Sequence, residues 1–202
     1  MKVKYSCASE FFYKLIEAKT KQEKQRIINS YNDIRVKDEY GWTMLMLAAE
    51  NGHSDIVKML IKSKVNLDLQ DKEGWTALMY AAQNGHADIV KMLIKSGAQL
   101  DLKDGCGITA LILASEKGYK DIVQMLIKSG AKLDVQDEYG MTALIWAVKN
   151  GHENIVKMFV KARAKLDLKS KHGWTTLMWA IVCGHKGIIK ILKEADKIKI
   201  KP

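Results

Sequence analysis

The chain has 202 residues, 28% of them charged and 48% hydrophobic, and carries a formal charge of +10. The excess is almost all lysine, since arginine stands only at Arg26, Arg35 and Arg163. No apolar run approaches the roughly 20 residues of a membrane-spanning helix. Three cysteines, Cys7, Cys106 and Cys183, have no spacing that suggests a staple or a metal site, and they fit a reducing compartment.

At the start of the chain Phe11, Phe12, Leu15 and Ile16, followed by Ile27 and Ile28, predict two short helices. The polar stretch 19–24 holds their connection and the start of the second. A glycine then returns every 33 residues, at Gly41, Gly74, Gly107, Gly140 and Gly173. The clearest copy of the sentence around it is DKEGWTALMYAAQNGHADIVKMLIKSGAQLDL, residues 71–102. Thr76 is placed to cap a first helix carrying Leu78, Ala81 and Ala82. Asn84-Gly85 stops that helix, because Gly85 tolerates the left-handed backbone of a helix end. Ile89, Val90, Leu93 and Ile94 form the apolar face of a second helix. Asp88 in its first turn and Lys91 and Lys95 in later turns suit the helix dipole. Gly97 ends this helix, Leu100 and Leu102 anchor an extended return, and Asp104-Gly105 with Gly107 turns the chain into the next copy.

The small pairs Ala48-Ala49, Ala81-Ala82 and Ala114-Ser115 permit close helix packing. Each helix has about three turns and is marginal alone. A unit this short cannot bury its own apolar face and must stack on its neighbours.

Gly74, Thr76, Leu78, Ala81, Ala82, Gly85, His86, Ile89, Val90, Leu93 and Ile94 fall on the motif of the ankyrin repeat family, which the chain resembles in five copies. The resemblance implies an all-α solenoid of stacked units, each a β-turn followed by two antiparallel helices. It implies a single domain over 1–202, with repeats at 38–70, 71–103, 104–136 and 137–169. Residues 1–37 then form a degenerate N-terminal cap and 170–202 a C-terminal cap with a charged outer side.

The chain departs from the motif at two positions. The usual Pro is Met44, Ala77, Ala110, Ala143 and Thr176. The His two places later is Met46, Met79, Ile112, Ile145 and Met178, so apolar packing replaces hydroxyl–imidazole bonding between repeats. Lys64 and Arg163 stand where other copies have a helix-ending Gly, which predicts strain there.

Chemistry is not encoded in any recognisable constellation. His53, His86, His152 and His185 occupy one repeat position, each in its own layer, where the family uses His to bond loop backbone. Asp71, Asp104 and Asp137 begin turns and are expected to accept backbone N–H bonds rather than to act as a catalytic pair. Gly105-Cys106-Gly107 is a turn and no phosphate loop. No catalytic residue, cofactor or metal ligand is therefore assigned.

The resemblance implies a non-enzymatic module that binds a protein or peptide through its concave face and turn tips, as a scaffold, an inhibitor or a host-directed effector. The expected contact residues are Tyr40, Trp42, Lys72, Trp75, Ile108, Tyr139, Met141, His172 and Trp174. The position after the repeat Gly is Trp42, Trp75, Ile108, Met141 and Trp174, a bulk the fold does not demand. The other reading of this row is that it lies flat on neighbouring turns and stiffens the stack. Tyr80, Trp146 and Trp179 are expected to pack between first helices.

The alternative function is nucleic-acid or anionic-surface binding by the lysines of the second helices, among them Lys58, Lys62, Lys91 and Lys95. A scaffold without one natural partner is a third reading, which the varied third copy opposes. The expected protein is a monomer in the cytoplasm, or in a host cytosol if an intracellular microbe exports it, and an acidic protein is one candidate partner.

Overall fold

The computed structural model describes residues 7–30 and 37–199. Arg35 and Pro202 lie outside the described residues, as do the side chains of Cys7 and Phe11. The chain divides into two compact units, Met1–Asp104 and Gly105–Pro202.

The first unit holds α1 (Cys7–Glu17), α2 (Lys21–Ser30), α3 (Met44–Glu50), α4 (Ser54–Lys62), α5 (Ala77–Gln83) and α6 (Ala87–Lys95). Helix α3 packs against both α1 and α5, while α4 packs against α2 and α6. The second unit holds α7 (Ala110–Lys117), α8 (Lys120–Lys128), α9 (Ala143–Lys149), α10 (Glu153–Lys161), α11 (Thr176–Val182) and α12 (Lys186–Lys199). It repeats the scheme, with α9 between α7 and α11 and α10 between α8 and α12. Each unit is thus a row of first helices backed by a row of second helices. Among the described residues the only β pairing is an isolated bridge, Lys169–Thr175.

Local chemistry sets every first helix. The Thr76 hydroxyl accepts the Met79 amide hydrogen at 3.2 Å. Thr43, Thr109, Thr142 and Thr175 do the same for Met46, Ile112, Ile145 and Met178. Each such cap contributes about 1 kcal/mol to a helix of only seven or eight residues. The core is the apolar stripe of the sequence: Leu78, Ala81, Ala82, Ile89, Val90 and Leu93 are all buried. Burying each of the larger ones removes about 1.5–3 kcal/mol of apolar exposure. The residues that replace the family His, namely Met46, Met79, Ile112 and Ile145, are buried as well.

The two anomalous turns adopt the backbone their neighbours leave to glycine. Lys64 has φ 56° and Arg163 φ 62°. A Cβ built at Gly97 or Gly130, the equivalent residues, meets nothing within 4 Å. Glycine is used there for its dihedral alone, so Lys64 and Arg163 carry a dihedral cost without a clash.

The last repeat differs from the expected charged cap. Helix α12 exposes Lys186, Lys190, Lys193 and Glu194, but α11 exposes Met178 (49%), Ile181 (54%) and Val182 (64%). Met178 holds the position that a following first helix covers in the case of Met46 and Ile145.

Candidate functional site: the turn tips and the first helices

The turns before α3, α5 and α9 are each built on one aspartate. The Oδ1 atom of Asp71 accepts the amide hydrogens of Glu73 and Trp75 at 3.0 and 2.8 Å. Asp38 does this for Tyr40 and Trp42, and Asp137 for Tyr139 and Met141. The expectation that the periodic aspartates serve backbone amides therefore holds at these positions. Neighbouring tips are also tied by backbone bonds: Lys72 N–H donates to the Tyr40 carbonyl at 3.0 Å, and Lys171 N–H to that of Tyr139 at 2.8 Å. The approach is close enough that a Cβ at Gly41 would lie 2.9 Å from Asp71 Cα. That proximity, together with a φ of +85°, is why glycine recurs at this position.

The second carboxylate oxygen has a role that the sequence reading missed. Asp71 Oδ2 accepts the Tyr80 hydroxyl at 2.6 Å, and Asp137 Oδ2 accepts Trp146 Nε1–H at 2.8 Å. One buried aspartate thus fixes both the turn and an aromatic ring on the first helix. The signal was available: a donor-bearing aromatic stands nine residues after Asp71 and Asp137, and leucine (Leu47, Leu113) stands nine after Asp38 and Asp104. Burial and the Asp71 hydrogen bond push the Tyr80 pKa well above the usual tyrosine value.

The aromatic row splits into two classes. Trp42 and Trp75 are half-buried and flank Tyr80, with ring centroids 4.5 and 5.0 Å from it. Trp174 lies 4.8 Å from Trp179. Spacing this close is aromatic packing, worth about 0.5–1.5 kcal/mol per pair beyond burial. Lys149 Nζ lies 4.6 Å above the Trp146 ring and 5.6 Å from that of Trp179.

Met141 departs from the expected contact set, because its side chain is 3% exposed and cannot reach a partner. Ile108 is half-buried, and Lys72 and His172 are exposed. The most accessible aromatics of the set are Tyr40 (61%) in the first unit and Tyr139 (55%) in the second. Both sit at tips whose backbone is locked by an aspartate. The Tyr139 pKa is raised chiefly by a hydrogen bond with Glu138.

Three of the repeat histidines serve the structure. The Nε2–H groups of His86 and His152 donate to the carbonyls of Glu50 and Glu116 at 3.0 and 2.9 Å. His185 reaches the Lys149 carbonyl at 3.3 Å. A carbonyl only accepts, so each ring is fixed as the Nε2–H tautomer. The His152 ring lies against Gly118, where a Cβ would come within 2.5 Å of Cε1. Among the described residues no group of three or more His, Cys, Asp or Glu side chains is placed to hold a metal ion. Nor is any helix there long and apolar enough to cross a membrane.

Comparison with known families agrees with this geometry. A family model described as ankyrin repeats (3 copies) matches residues 6–104 and again 111–201. A second, ankyrin repeats (many copies), matches residues 88–127. The chain belongs to the ankyrin repeat family. No curated protein matches it. Ankyrin repeats generally mediate protein–protein interactions.

Proposed function

We propose that the chain is a non-enzymatic protein-binding module whose contacts are made by the turn tips. Tyr40 anchors a partner in the first unit and Tyr139 in the second. Lys72 and His172 supply polar contacts at the rim, and the exposed edges of Ile108 and Trp174 add apolar area. Trp42 and Trp75 act from behind: stacked on Tyr80, they stiffen the tip rather than touch the partner. The observation that carries this reading is the exposure of Tyr40 and Tyr139 on backbone already ordered by Asp38 and Asp137. A tip whose backbone is ordered before binding loses less entropy on association. Tyrosine is also enriched among the residues that dominate binding energies.

The reading needs no cofactor and places the work in the cytoplasm, native or host, as a scaffold or inhibitor of its partner. Capture of a protein from cytosolic extract by the intact chain, compared with Tyr40→Ala and Tyr139→Ala, tests it. The partner should survive about 0.5 M salt, where exposed ion pairs are screened, and should be lost with either alanine. Replacing Trp42 or Trp75 is not an equivalent test, because either change removes packing.

A further inference from the structure

Between α2 and α4 the first unit has a cavity of about 380 Å³. Lys19, Lys21, Lys24, Lys58 and Lys62 line it, and Asp55 is the one carboxylate among its walls. We propose that this cavity binds a compact multivalent phosphate, either as a free polyphosphate anion or as the phosphorylated headgroup of a lipid.

The charge follows from the sequence of the two helices. Ile56, Val57, Met59 and Leu60 turn inward from α4, which leaves Lys58 and Lys62 outward at i,i+4. Helix α2 contributes Lys21 and Lys24 at i,i+3. Like charges at these spacings repel, and the packing of α2 on α4 brings the two pairs to one hollow. Among the described residues lining the cavity, only Lys24 has a neutralising contact: its ammonium pairs with Asp55, which holds the Asp55 pKa below the usual carboxylate value. Five cations face one committed anion, and a ligand of high negative charge relieves the remainder.

The end of α2 is not what binds. The Thr20 hydroxyl already accepts the Glu23 amide hydrogen, and Glu23 accepts that of Lys19. The lining holds no arginine. Ammonium groups are compact point charges without the planar fork that favours bidentate carboxylate pairing, so this wall selects charge density. The volume falls in the range of small-ligand sites, about 300–1,000 Å³. The neighbouring hollow along α4 and α6 lacks this imbalance, since Lys58, Lys91 and Lys95 face two carboxylates there, Asp55 and Asp88.

The test titrates the full chain with sodium tripolyphosphate by calorimetry at physiological salt. In parallel, the chain is sedimented with phosphatidylcholine vesicles carrying phosphatidylinositol bisphosphate. Saturable binding of one tripolyphosphate per chain is expected. Lys24→Gln/Lys58→Gln should weaken it about tenfold or more, and Lys91→Gln/Lys95→Gln, which removes the same charge, by less than about twofold. Lys21→Gln/Lys62→Gln repeats the test without breaking the pair to Asp55. Vesicle capture that the same variants abolish assigns the headgroup as the source, and tripolyphosphate binding alone assigns the free anion. The proposal is overturned when there is neither saturable tripolyphosphate binding nor vesicle capture that the cavity variants abolish. Equal losses in the cavity variants and in Lys91→Gln/Lys95→Gln overturn it as well.

Discussion

Ser170 breaks the aspartate rule, and replacing it should stabilise the protein. Asp71 and Asp137 each accept two turn amides and one aromatic donor. In the last repeat Ser170 accepts the Trp174 amide hydrogen at a long 3.4 Å. The indole Nε1–H of Trp179, nine residues on, is buried with no partner. An orphaned buried donor costs about 1–3 kcal/mol, and a hydrogen bond to a charged acceptor contributes about 1.5–3 kcal/mol. Against this stands the cost of burying a carboxylate at a site 5% exposed, which the surrounding amide donors largely offset. The net expectation for Ser170→Asp is about 1 kcal/mol of stabilisation, or roughly 2–4 °C in Tm for a chain of this size. Thermal and urea unfolding by circular dichroism read it directly. The Trp179→Phe background isolates the indole, because Ser170→Asp should lose much of its benefit there, giving a coupling of about 1 kcal/mol. An unchanged or lower Tm for Ser170→Asp, or the same gain in both backgrounds, would refute the reasoning.

Four further outcomes follow from the same geometry. Lys64→Gly and Arg163→Gly should each stabilise by about 1 kcal/mol, since both residues sit at positive φ; a Tm that falls would contradict this. Gly118→Ala should lower the Tm, because its methyl would meet the His152 ring, whereas Gly130→Ala loses only the dihedral preference; equal losses would show that the ring yields freely. The raised Tyr80 pKa means that the folded state favours the protonated phenol, so its contribution is complete below the unfolded value of about 10. It is lost as pH rises beyond that, and Tyr80→Phe should flatten the alkaline fall in Tm. Trp42→Ala should destabilise by about 2–3 kcal/mol, while Tyr40→Ala should stay within about 0.5 kcal/mol; unfolding in urea separates them.

The fold was legible because stacking forces each copy to obey the same local rules. Thr caps, Asn-Gly stops and the apolar stripe of Ile89, Val90 and Leu93 repeat at fixed spacing, and the helices form where that spacing puts them. The turn aspartates and the structural histidines were readable for the same reason. Less legible was whatever depends on one repeat meeting another. Met141 occupies the same position as Trp42 yet is buried, and nothing in its own copy announces that. The pairing of Asp71 with Tyr80 needs both ends of a nine-residue span to be compared across copies. The exposure of Met178 on α11 likewise shows only when it is set beside the buried Met46 and Ile145. The lysine cavity depends on the packing of α2 against α4, and α2 belongs to a copy that departs from the 33-residue motif.

The most direct test of the binding account is retention of a cytosolic partner at about 0.5 M salt by the intact chain, Tyr40→Ala and Tyr139→Ala, with the Tm of each recorded. The account predicts three equal melting temperatures and a partner held by the intact chain alone. A partner retained equally by all three proteins would contradict it.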